Sequence, residues 1–352
     1  MNPLELDFGK EYDIVAMGRA SADFVPDRCG RVEEVHNYTK FVGGSPANTA
    51  VAAAMQGAKT GFIGKVGDDI LGRYVKHFLE SKGVDTSHLA VSRESAVRTP
   101  VSFTERIAPG VNSAPNGAMF RSNVADLFIS PDEIDEDYIA RFKILLFSGT
   151  SLCRSPAREA VFLAIEYARR HHVRVVFDPD YREVVWNSPW ETAVYYWMAA
   201  RDSDAVLATR EEFNAIEYIM LPGNSDDVKT ARAFLSMGCR LVCIKHGDKG
   251  SRVFTKDGGD YRGEVFPSRV VTLNGAGDSF SGSFLNQMVL GSPVEKALKY
   301  AAASAALTVS GRSCASHMPT VRQTEEFIRI CESGEIEGFR WWDENSDISD
   351  VL

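Results

Sequence analysis

Short apolar runs rich in β-branched residues alternate with stretches of helical periodicity along most of the chain. The runs of strand character are YDIVAMG (12–18), TGFIGKVG (60–67), FKILLFSG (142–149), VRVVFDPD (173–180), AVLAT (205–209), RLVCIKHG (240–247) and GSRVFT (250–255). Helical patterns lie between them, over 46–57, 69–83 and 156–171. This alternation predicts an α/β fold with a doubly wound, mostly parallel sheet and helices on both of its faces.

Two segments, 19–42 and 98–123, interrupt this alternation because they are extended or turn-rich and show no helical pattern. In the second, RTPVSFTERI and NGAMFRSNV flank the loop APGVNSAPNG, which is typical of a β-hairpin. We expect both segments to form a small β-sheet lid over the carboxyl edge of the main sheet, where ligands bind in open α/β sheets. The alternative is that they are edge strands of a single sheet. The main domain is then 12–335, and an acidic tail without periodicity follows at 336–352.

Composition and charge describe an acidic protein without the broad basic surface that nucleic-acid binding requires. The 352 residues carry a net charge of −9, and no uninterrupted apolar stretch is long enough to span a bilayer. Acidic residues ahead of the first strand are unlike a secretory signal. The six cysteines form neither a CxxC pair nor a zinc site with neighbouring histidines. We therefore expect a cytoplasmic protein that binds small molecules rather than nucleic acid or membrane.

The segment VTLNGAGDSFSGSF (271–284) combines a glycine-rich turn with the start of a helix. Gly275, Ala276 and Gly277 carry almost no side chain, and apolar residues recur at helical spacing after Asp278. The unpaired N–H groups and partial positive charge of a helix N-terminus suit a phosphate. A carboxylate beside such a site indicates a base that takes a proton from a nucleophile attacking phosphorus. On these residues alone, an ordinary helix cap after a glycine turn is an equal alternative.

A second glycine-rich joint, FVGGSPANTAVAAA (41–54), has Gly43 and Gly44 directly ahead of a predicted helix. Bare backbone permits close approach of a ligand, and Asn48 offers a donor and an acceptor suited to sugar hydroxyls. Asp23, shortly after the first strand, is a further candidate acceptor for ligand hydroxyls. Taken singly, each of these features also fits an ordinary surface turn.

A third joint, KHGDKGS (245–251), connects two predicted strands, and the N–H groups around Gly247 and Gly250 are candidates for nucleotide phosphates. A plain hairpin is the alternative. No GxxxxGK[ST] segment occurs, and GRASAD rather than GxGxxG follows the first strand. Neither a P-loop nor a dinucleotide-binding fold is therefore indicated.

The long segment GGSPANTAVAAAMQGAKTGFIGKVGDDILGRYVKHFLESKGVD, followed much later by NGAGDSFSGSF, resembles the two signatures of the ribokinase-like (PfkB-type) sugar kinases. The resemblance covers about residues 12–330. It implies an α/β domain with a small β-sheet lid, ATP and Mg²⁺ as donor and cofactor, and a homodimer formed through the lid. By matching positions, the resemblance implies that Asp278 is the base and that the anion hole is formed by Gly275, Ala276 and Gly277. It implies that the sugar is held by Asp23, Gly43, Gly44 and Asn48. The residues that it implies for ATP are Lys245, Gly247, Gly250, Gly275 and Gly277.

Two departures from the family pattern concern its cations. The family usually has an Asp-Thr pair ahead of the glycine turn, and this Asp commonly helps to bind a monovalent cation. Thr272 and Leu273 stand at those positions, which leaves activation by K⁺ open. The Asn-x-x-Glu motif, tied to magnesium through water, appears as TREE (209–212), so Glu212 is retained without the Asn. Mg²⁺ is still expected, because transfer from ATP requires neutralisation of phosphate charge.

Three segments narrow the choice of sugar. FDPDYREVVW (177–186) is similar to the Asp-x-Asn/Asp-x-Arg stretch of kinases that act on acidic keto-deoxy sugars. MFRSNVADLFISPDEI (119–134) and the lid segment VSFTERI resemble the inositol-catabolism branch of the family. An arginine can bind the carboxylate of such a substrate bidentately. Arg121 is the first candidate, followed by Arg106 and Arg182; a surface or ATP-phosphate role is the alternative for each.

The resemblance therefore implies transfer of the ATP γ-phosphoryl group to the C6 hydroxyl of 5-dehydro-2-deoxy-D-gluconate, with Asp278 as the base. A 2-keto-3-deoxygluconate kinase and a fructokinase are the alternatives within this class. From another class, a non-catalytic sugar or nucleotide sensor is the alternative, and the intact Asp278 beside Gly-Ala-Gly argues against it.

Overall fold

A large sheet runs through the computed structural model, which describes residues 2–106, 117–336 and 339. Its nine strands within these residues are β1 (Tyr12–Met17), β4 (Thr60–Gly67), β5 (Leu89–Ser92), β8 (Phe142–Ser148), β9 (Arg174–Asp178), β10 (Ala205–Thr209), β11 (Leu241–Lys245), β12 (Ser251–Thr255) and β13 (Asp260–Gly263). The spatial order is β13-β12-β11-β10-β9-β8-β1-β4-β5. Every pairing from β11 to β5 is parallel, and β12 and β13 are added antiparallel at one edge.

Helices cover both faces of this sheet. They are α1 (Ser45–Met55), α2 (Ile70–Ser81), α3 (Glu136–Ala140), α4 (Ala157–Arg170), α5 (Pro189–Arg201), α6 (Arg210–Glu217), α7 (Asp227–Met237), α8 (Ala276–Val289), α9 (Val294–Thr308) and α10 (Val321–Ser333). Successive strand residues point to opposite faces: Ile14 and Ala16 join the apolar layer under α1, α8 and α9, whereas Val15 and Met17 join the layer under α4 and α5. The predicted doubly wound α/β fold is thus confirmed.

The two segments that interrupt the alternation form a separate four-stranded sheet. Its strands are β2 (Ser21–Pro26), β3 (Tyr38–Gly43), β6 (Val101–Thr104) and β7 (Gly117–Phe120), in the order β3-β2-β6-β7. β6 and β7 pair antiparallel, as the hairpin pattern predicts, and the predicted loop between them lies mostly outside the described residues. This small sheet follows β1 directly and leads through β3 into α1.

Close packing of α1 against α8 brings the N-termini of both helices to the carboxyl edge of the main sheet. A Cβ on Gly282 of α8 would lie 2.6 Å from the Cβ of Ala52 and 2.7 Å from the carbonyl oxygen of Thr49, both on α1. Glycine at this position therefore permits the close approach of the two helices. The carboxyl ends of the parallel strands meet at the same edge, where ligands bind in such folds.

The predicted acidic tail at 336–352 lies almost wholly outside the described residues. Phe339 packs against Phe327 of α10, with the ring centroids 5.1 Å apart. Among the described residues, no helix has both the length and the apolar character needed to cross a bilayer.

Candidate active site

Asp278, the third residue of α8, is held by two side chains from the first turn of α1. The Ser45 hydroxyl donates to Oδ1 of Asp278 at 2.7 Å, and the Asn48 amide donates to Oδ2 at 2.7 Å. Because each carboxylate oxygen accepts one of these bonds, the orientation of the group is fixed from both sides. Lone pairs remain on both oxygens for a further contact.

The surroundings of Asp278 keep its carboxyl group close to the midpoint of its titration at neutral pH. Burial and then the negative charge of Asp180 raise the pKa of Asp278 to about 7, whereas the hydrogen bonds from Asn48 and Ser45 oppose that rise. A carboxyl group with a pKa near the working pH is matched to general-base chemistry.

The turn ahead of Asp278 requires glycine for a steric reason. Gly275 has a φ of 83°, in the left-handed region, and a Cβ there would lie 2.3 Å from the Cβ of Cys314. Ala276 and Gly277 follow as the first residues of α8. Backbone N–H groups in the first turn of a helix have no intrahelical partner, so they are suited to bind an anion beside Asp278.

Lys245, the last residue of β11, brings a positive charge to the same helix N-terminus. A Cβ on Gly277 would lie 3.7 Å from the Lys245 Nζ. This Nζ lies 3.2 Å from Oδ2 of Asp178, which also accepts a 2.7 Å hydrogen bond from the Ser281 hydroxyl. Although burial lowers it, the charges of Asp178 and Glu212 raise the pKa of Lys245 above its ordinary value, so the ammonium stays charged.

Asp180 connects two arginines to this cluster. Its Oδ1 lies 2.8 Å from Nη2 of Arg182, and its Oδ2 lies 3.6 Å from Nη2 of Arg19. The charges of Asp180 and, more weakly, of Asp278 and Glu212 raise the pKa of Arg182, whose side chain is half-exposed. Cations and carboxylates therefore alternate along the carboxyl ends of the central strands.

Asp23 and Gly43 meet where β2 pairs with β3. Oδ1 of Asp23 accepts hydrogen bonds from the hydroxyls of Ser21, at 2.9 Å, and Ser102, at 2.7 Å. A Cβ on Gly43 would lie 1.8 Å from Oδ2 of Asp23, so the carboxylate occupies the space of that missing side chain. Gly44 has a φ of 99° and directly precedes α1, so the small sheet and the residues that hold Asp278 are contiguous in the chain.

The remaining predicted arginines follow the two strands of the β6–β7 hairpin and lie at opposite ends of it. Arg121, directly after β7, is 2.9 Å and 2.8 Å from the two carboxylate oxygens of Asp126, which is fully buried. The carbonyl of Arg106 accepts a 2.9 Å hydrogen bond from the Gly30 N–H. These contacts anchor both segments, and the carboxylate that engages Arg121 is Asp126 rather than Asp278.

The predicted nucleotide residues Gly247 and Gly250 form the tight turn between β11 and β12, with φ values of 61° and 88°. Glu212 caps α6, where its two carboxylate oxygens accept N–H bonds from Tyr181, at 3.1 Å, and Thr209, at 2.8 Å. Burial, offset in part by Lys245, raises the pKa of Glu212. Within the described residues, no three His, Cys, Asp or Glu side chains converge as a metal-binding group.

Comparison with known proteins agrees with this geometry. The sequence pattern of the pfkB family carbohydrate kinases matches residues 12–321. A 5-dehydro-2-deoxygluconokinase of Geobacillus thermodenitrificans (strain NG80-2) is 46% identical over 330 residues, which cover 94% of this chain and 96% of the relative. A 5-dehydro-2-deoxygluconokinase 1 of Bacillus cereus (strain ZK / E33L) is 43% identical over 333 residues, covering 94% of this chain and 99% of the relative. The chain belongs to the pfkB family of carbohydrate kinases.

Solved structures place this carbohydrate kinase in the same fold. A putative Ribokinase II from E. coli, in complex with ATP and Mg²⁺, has a TM-score of 0.81 at 22% identity and covers 90% of this chain and 99% of its own. A fructokinase from Xylella fastidiosa with bound ATP has a TM-score of 0.80 at 20% identity, and the match covers 92% of this chain and 99% of the fructokinase chain. The expectation of a ribokinase-like sugar kinase is confirmed.

Several further side chains complete the cluster of this kinase and were not among those predicted from the sequence. They are Arg19, Ser45, Asp178, Asp180 and Ser281. The segment FDPDYREVVW was interpreted through Arg182 alone, although its two aspartates come directly at the end of a buried strand. Such carboxylates at the carboxyl end of a parallel strand are the signal that identifies them.

The pH dependence of this kinase should follow the ionisation of Asp278. Since the raised pKa leaves the carboxyl group protonated below about 7, we expect kcat/KM to fall about tenfold per pH unit below that point. Asp180→Asn removes a repulsive charge near Asp278 and should move the fall of kcat/KM to lower pH. The control is Asp137→Asn, because Asp137 lies on α3, which precedes β8 at the opposite edge of the sheet. This variant should leave the fall of kcat/KM at acidic pH unchanged. A flat profile between pH 6 and 8 would count against Asp278 as the base.

Gly43→Ala should displace Asp23, which the family resemblance predicts to hold the sugar. The new Cβ would displace the carboxylate, and loss of a charged hydrogen bond to the sugar should raise its KM about tenfold or more. Gly117→Ala on the same sheet is the matched control, because its Cβ would meet the nearest atom at an ordinary 3.5 Å. Steady-state kinetics with the sugar varied test this. An unchanged KM in Gly43→Ala would remove Asp23 from the sugar site.

Proposed function

We propose that this kinase transfers the γ-phosphoryl group of ATP to the C6 hydroxyl of 5-dehydro-2-deoxy-D-gluconate. The observation that carries the substrate is the 43–46% identity, over at least 94% of the chain, with enzymes named 5-dehydro-2-deoxygluconokinase. The hydrogen bonds that orient Asp278 beside a helix N-terminus support the reaction itself.

In the proposed reaction, Asp278 accepts the proton of the C6 hydroxyl as its oxygen attacks the γ-phosphorus. The bond from that phosphorus to the oxygen bridging to the β-phosphorus breaks, and ADP leaves with the electron pair. A pKa of about 7 makes Asp278 a stronger base than an ordinary carboxylate while leaving a large ionised fraction at neutral pH. The bonds from Ser45 and Asn48 direct its free lone pairs.

The N–H groups of Gly275, Ala276 and Gly277 would stabilise the negative charge that develops on the transferred group. Lys245 adds a full positive charge next to Gly277, which supports a role toward ATP phosphates. Gly247 and Gly250 are the candidates for further backbone contacts to the nucleotide.

Mg²⁺ would neutralise phosphate charge when bound with ATP. Glu212 fits a contact to it through water, because backbone N–H bonds anchor both carboxylate oxygens and leave a lone pair on each. With Thr272 and Leu273 ahead of the glycine turn, K⁺ is left out of the proposal.

Asp23, Gly43, Gly44 and Asn48 would hold the sugar hydroxyls. Asn48 supports this role because its Oδ1 is buried and has no hydrogen-bond partner among the described residues, as a sugar hydroxyl would provide. Among the arginines proposed for the carboxylate, Arg182 lies close enough to Asp278 for that charge to raise its pKa, whereas Arg121 and Arg106 would contribute from the small sheet acting as a lid. Closure of this lid would exclude water and limit ATP hydrolysis.

We further propose that two copies of the chain pair through their small sheets. The face opposite Asp23 carries an aromatic cluster in which Phe24 stacks on Phe103 at 4.8 Å and Phe120 meets Phe103 edge-on at 6.3 Å between centroids. Phe120 is 57% exposed. Exposed aromatic side chains of this kind are enriched in subunit interfaces.

The substrate is tested by ATP consumption with purified protein, Mg²⁺ and a panel of 5-dehydro-2-deoxygluconate, 2-keto-3-deoxygluconate, fructose, ribose and adenosine. The proposal expects the highest kcat/KM with the first compound. Preference for another sugar would assign one of the alternative kinase activities. Asp278→Asn should lower kcat by orders of magnitude with sugar binding largely retained. A wild-type protein that binds ligands without consuming ATP would instead be a sensor.

The dimer is tested by sedimentation equilibrium of Phe120→Glu. A charge in the aromatic face should convert a dimer into monomers, while Leu290→Glu, at an equally exposed position after α8, should remain dimeric. A monomeric wild type, or a Phe120→Glu variant that still dimerises, would refute pairing through this face.

A further inference from the structure

Arg19, two residues beyond the end of β1, is a buried guanidinium with an incomplete set of partners. Its residue surface is 5% exposed, and its one ion-pair contact within the described residues is the 3.6 Å approach of Nη2 to Asp180. Its Nε is buried without a hydrogen-bond partner among those residues. Asp180 forms its shorter contact, at 2.8 Å, with Arg182. Arg19 is therefore less fully compensated than its neighbour.

The unpaired atoms around Arg19 include an acceptor as well as a donor. Oδ2 of Asp180, the oxygen that faces Arg19, is also buried without a hydrogen bond in the described part of the chain. A buried polar group without a partner is destabilising, and a bound ligand can supply the missing partners of these two atoms. Their arrangement suits a ligand that offers an acceptor to Arg19 and a hydroxyl to Asp180.

The location of Arg19 connects the proposed sugar site to the base. A Cβ on Gly44 would lie 2.3 Å from the carbonyl oxygen of Arg19, so Arg19 lies against the joint between the small sheet and α1. On its other side, Asp180 is the charge that most perturbs Asp278. A substrate that reaches from Asp23 to Asp278 therefore passes close to Arg19.

A carboxylate is the ligand group that completes this arrangement. The order Arg182, Asp180, Arg19 already alternates in charge, and a ligand carboxylate next to Arg19 would continue the alternation. A guanidinium binds a carboxylate through two parallel N–H bonds, and the contact is strong where water is excluded. Arg121 also has a buried Nε without a hydrogen-bond partner among the described residues, but Asp126 engages its two Nη atoms at 2.8–2.9 Å, whereas Arg19 meets Asp180 at 3.6 Å.

We infer that Arg19 binds the carboxylate of the acidic sugar and thereby selects the keto-acid over neutral sugars. This inference rests on the proposed function, since it requires an anionic substrate. It assigns to Arg19 a contact with the substrate, in addition to the arginines named above.

The test compares Arg19→Met and Arg19→Lys with the wild type in the full-length protein. For each, kcat/KM is measured with 5-dehydro-2-deoxygluconate, and equilibrium dissociation constants are measured by calorimetry for this acid and for its neutral primary amide. Arg19→Met should lose about 30-fold or more in affinity for the acid, because the partner of a buried charge is removed. Its affinity for the amide should change less than about threefold, and Arg19→Lys should recover part of the loss for the acid.

Thermal unfolding and ATP binding of each variant show whether the fold is intact. If Arg19→Met does not fold, Arg19→Lys carries the test, because it keeps the charge and loses the two-bond geometry. Its affinity for the acid should then fall while its affinity for the amide does not.

Three outcomes are distinguishable. A loss of affinity for the acid without a matching loss of affinity for the amide supports the inference. The role of Arg19 is overturned, and the proposed function stays in place, if the wild type acts on the acid while the variants lose affinity for acid and amide equally or lose affinity for neither. A wild type that prefers a neutral sugar overturns both.

Discussion

Two hydrogen bonds across the carboxyl edge of the sheet join the start of α1 to the start of α8, and the rest of the site depends on them. Ser45 and Asn48 reach Asp278 only because the two helices pack at a distance that Gly282 permits. Were the helices farther apart, the carboxylate would turn toward solvent and its pKa would return toward the ordinary range of an aspartate. Helix packing in the core is therefore a direct determinant of chemistry at the surface.

The second constraint is electrostatic. A cluster of charged groups meets at the carboxyl edge of the sheet: the carboxylates of Asp178, Asp180, Glu212 and Asp278 and the cations of Arg19, Arg182 and Lys245. Each of these cations lies beside at least one carboxylate. Lys245 stays charged because Asp178 faces it, although burial opposes that charge, and burial together with the nearby Asp180 makes Asp278 a stronger base. These side chains therefore act as one electrostatic cluster rather than as separate residues.

The fold and the residues around the glycine turn could be predicted from the sequence because their signals are local. Strand and helix periods mark the sheet, and a left-handed position such as Gly275 admits little else than glycine. The pairing of Arg121 with Asp126 was not predictable, since either charge is equally compatible with solvent. Asp180 was missed for a related reason: its role comes from contacts with Arg19, which is 161 positions away in the chain.

The junction of the small sheet with α1 has a consequence for protein engineering. The strand that pairs beside Asp23 ends at Gly43, and the next residues are Gly44 and then Ser45, which donates a hydrogen bond to Asp278. The small sheet is thus not an exchangeable module. A chimaera that took these four strands from another sugar kinase, in order to change specificity, would also replace or strain the anchor of Asp278. Grafts that keep residues 43–48 and recombine only the distal parts of the sheet avoid this conflict.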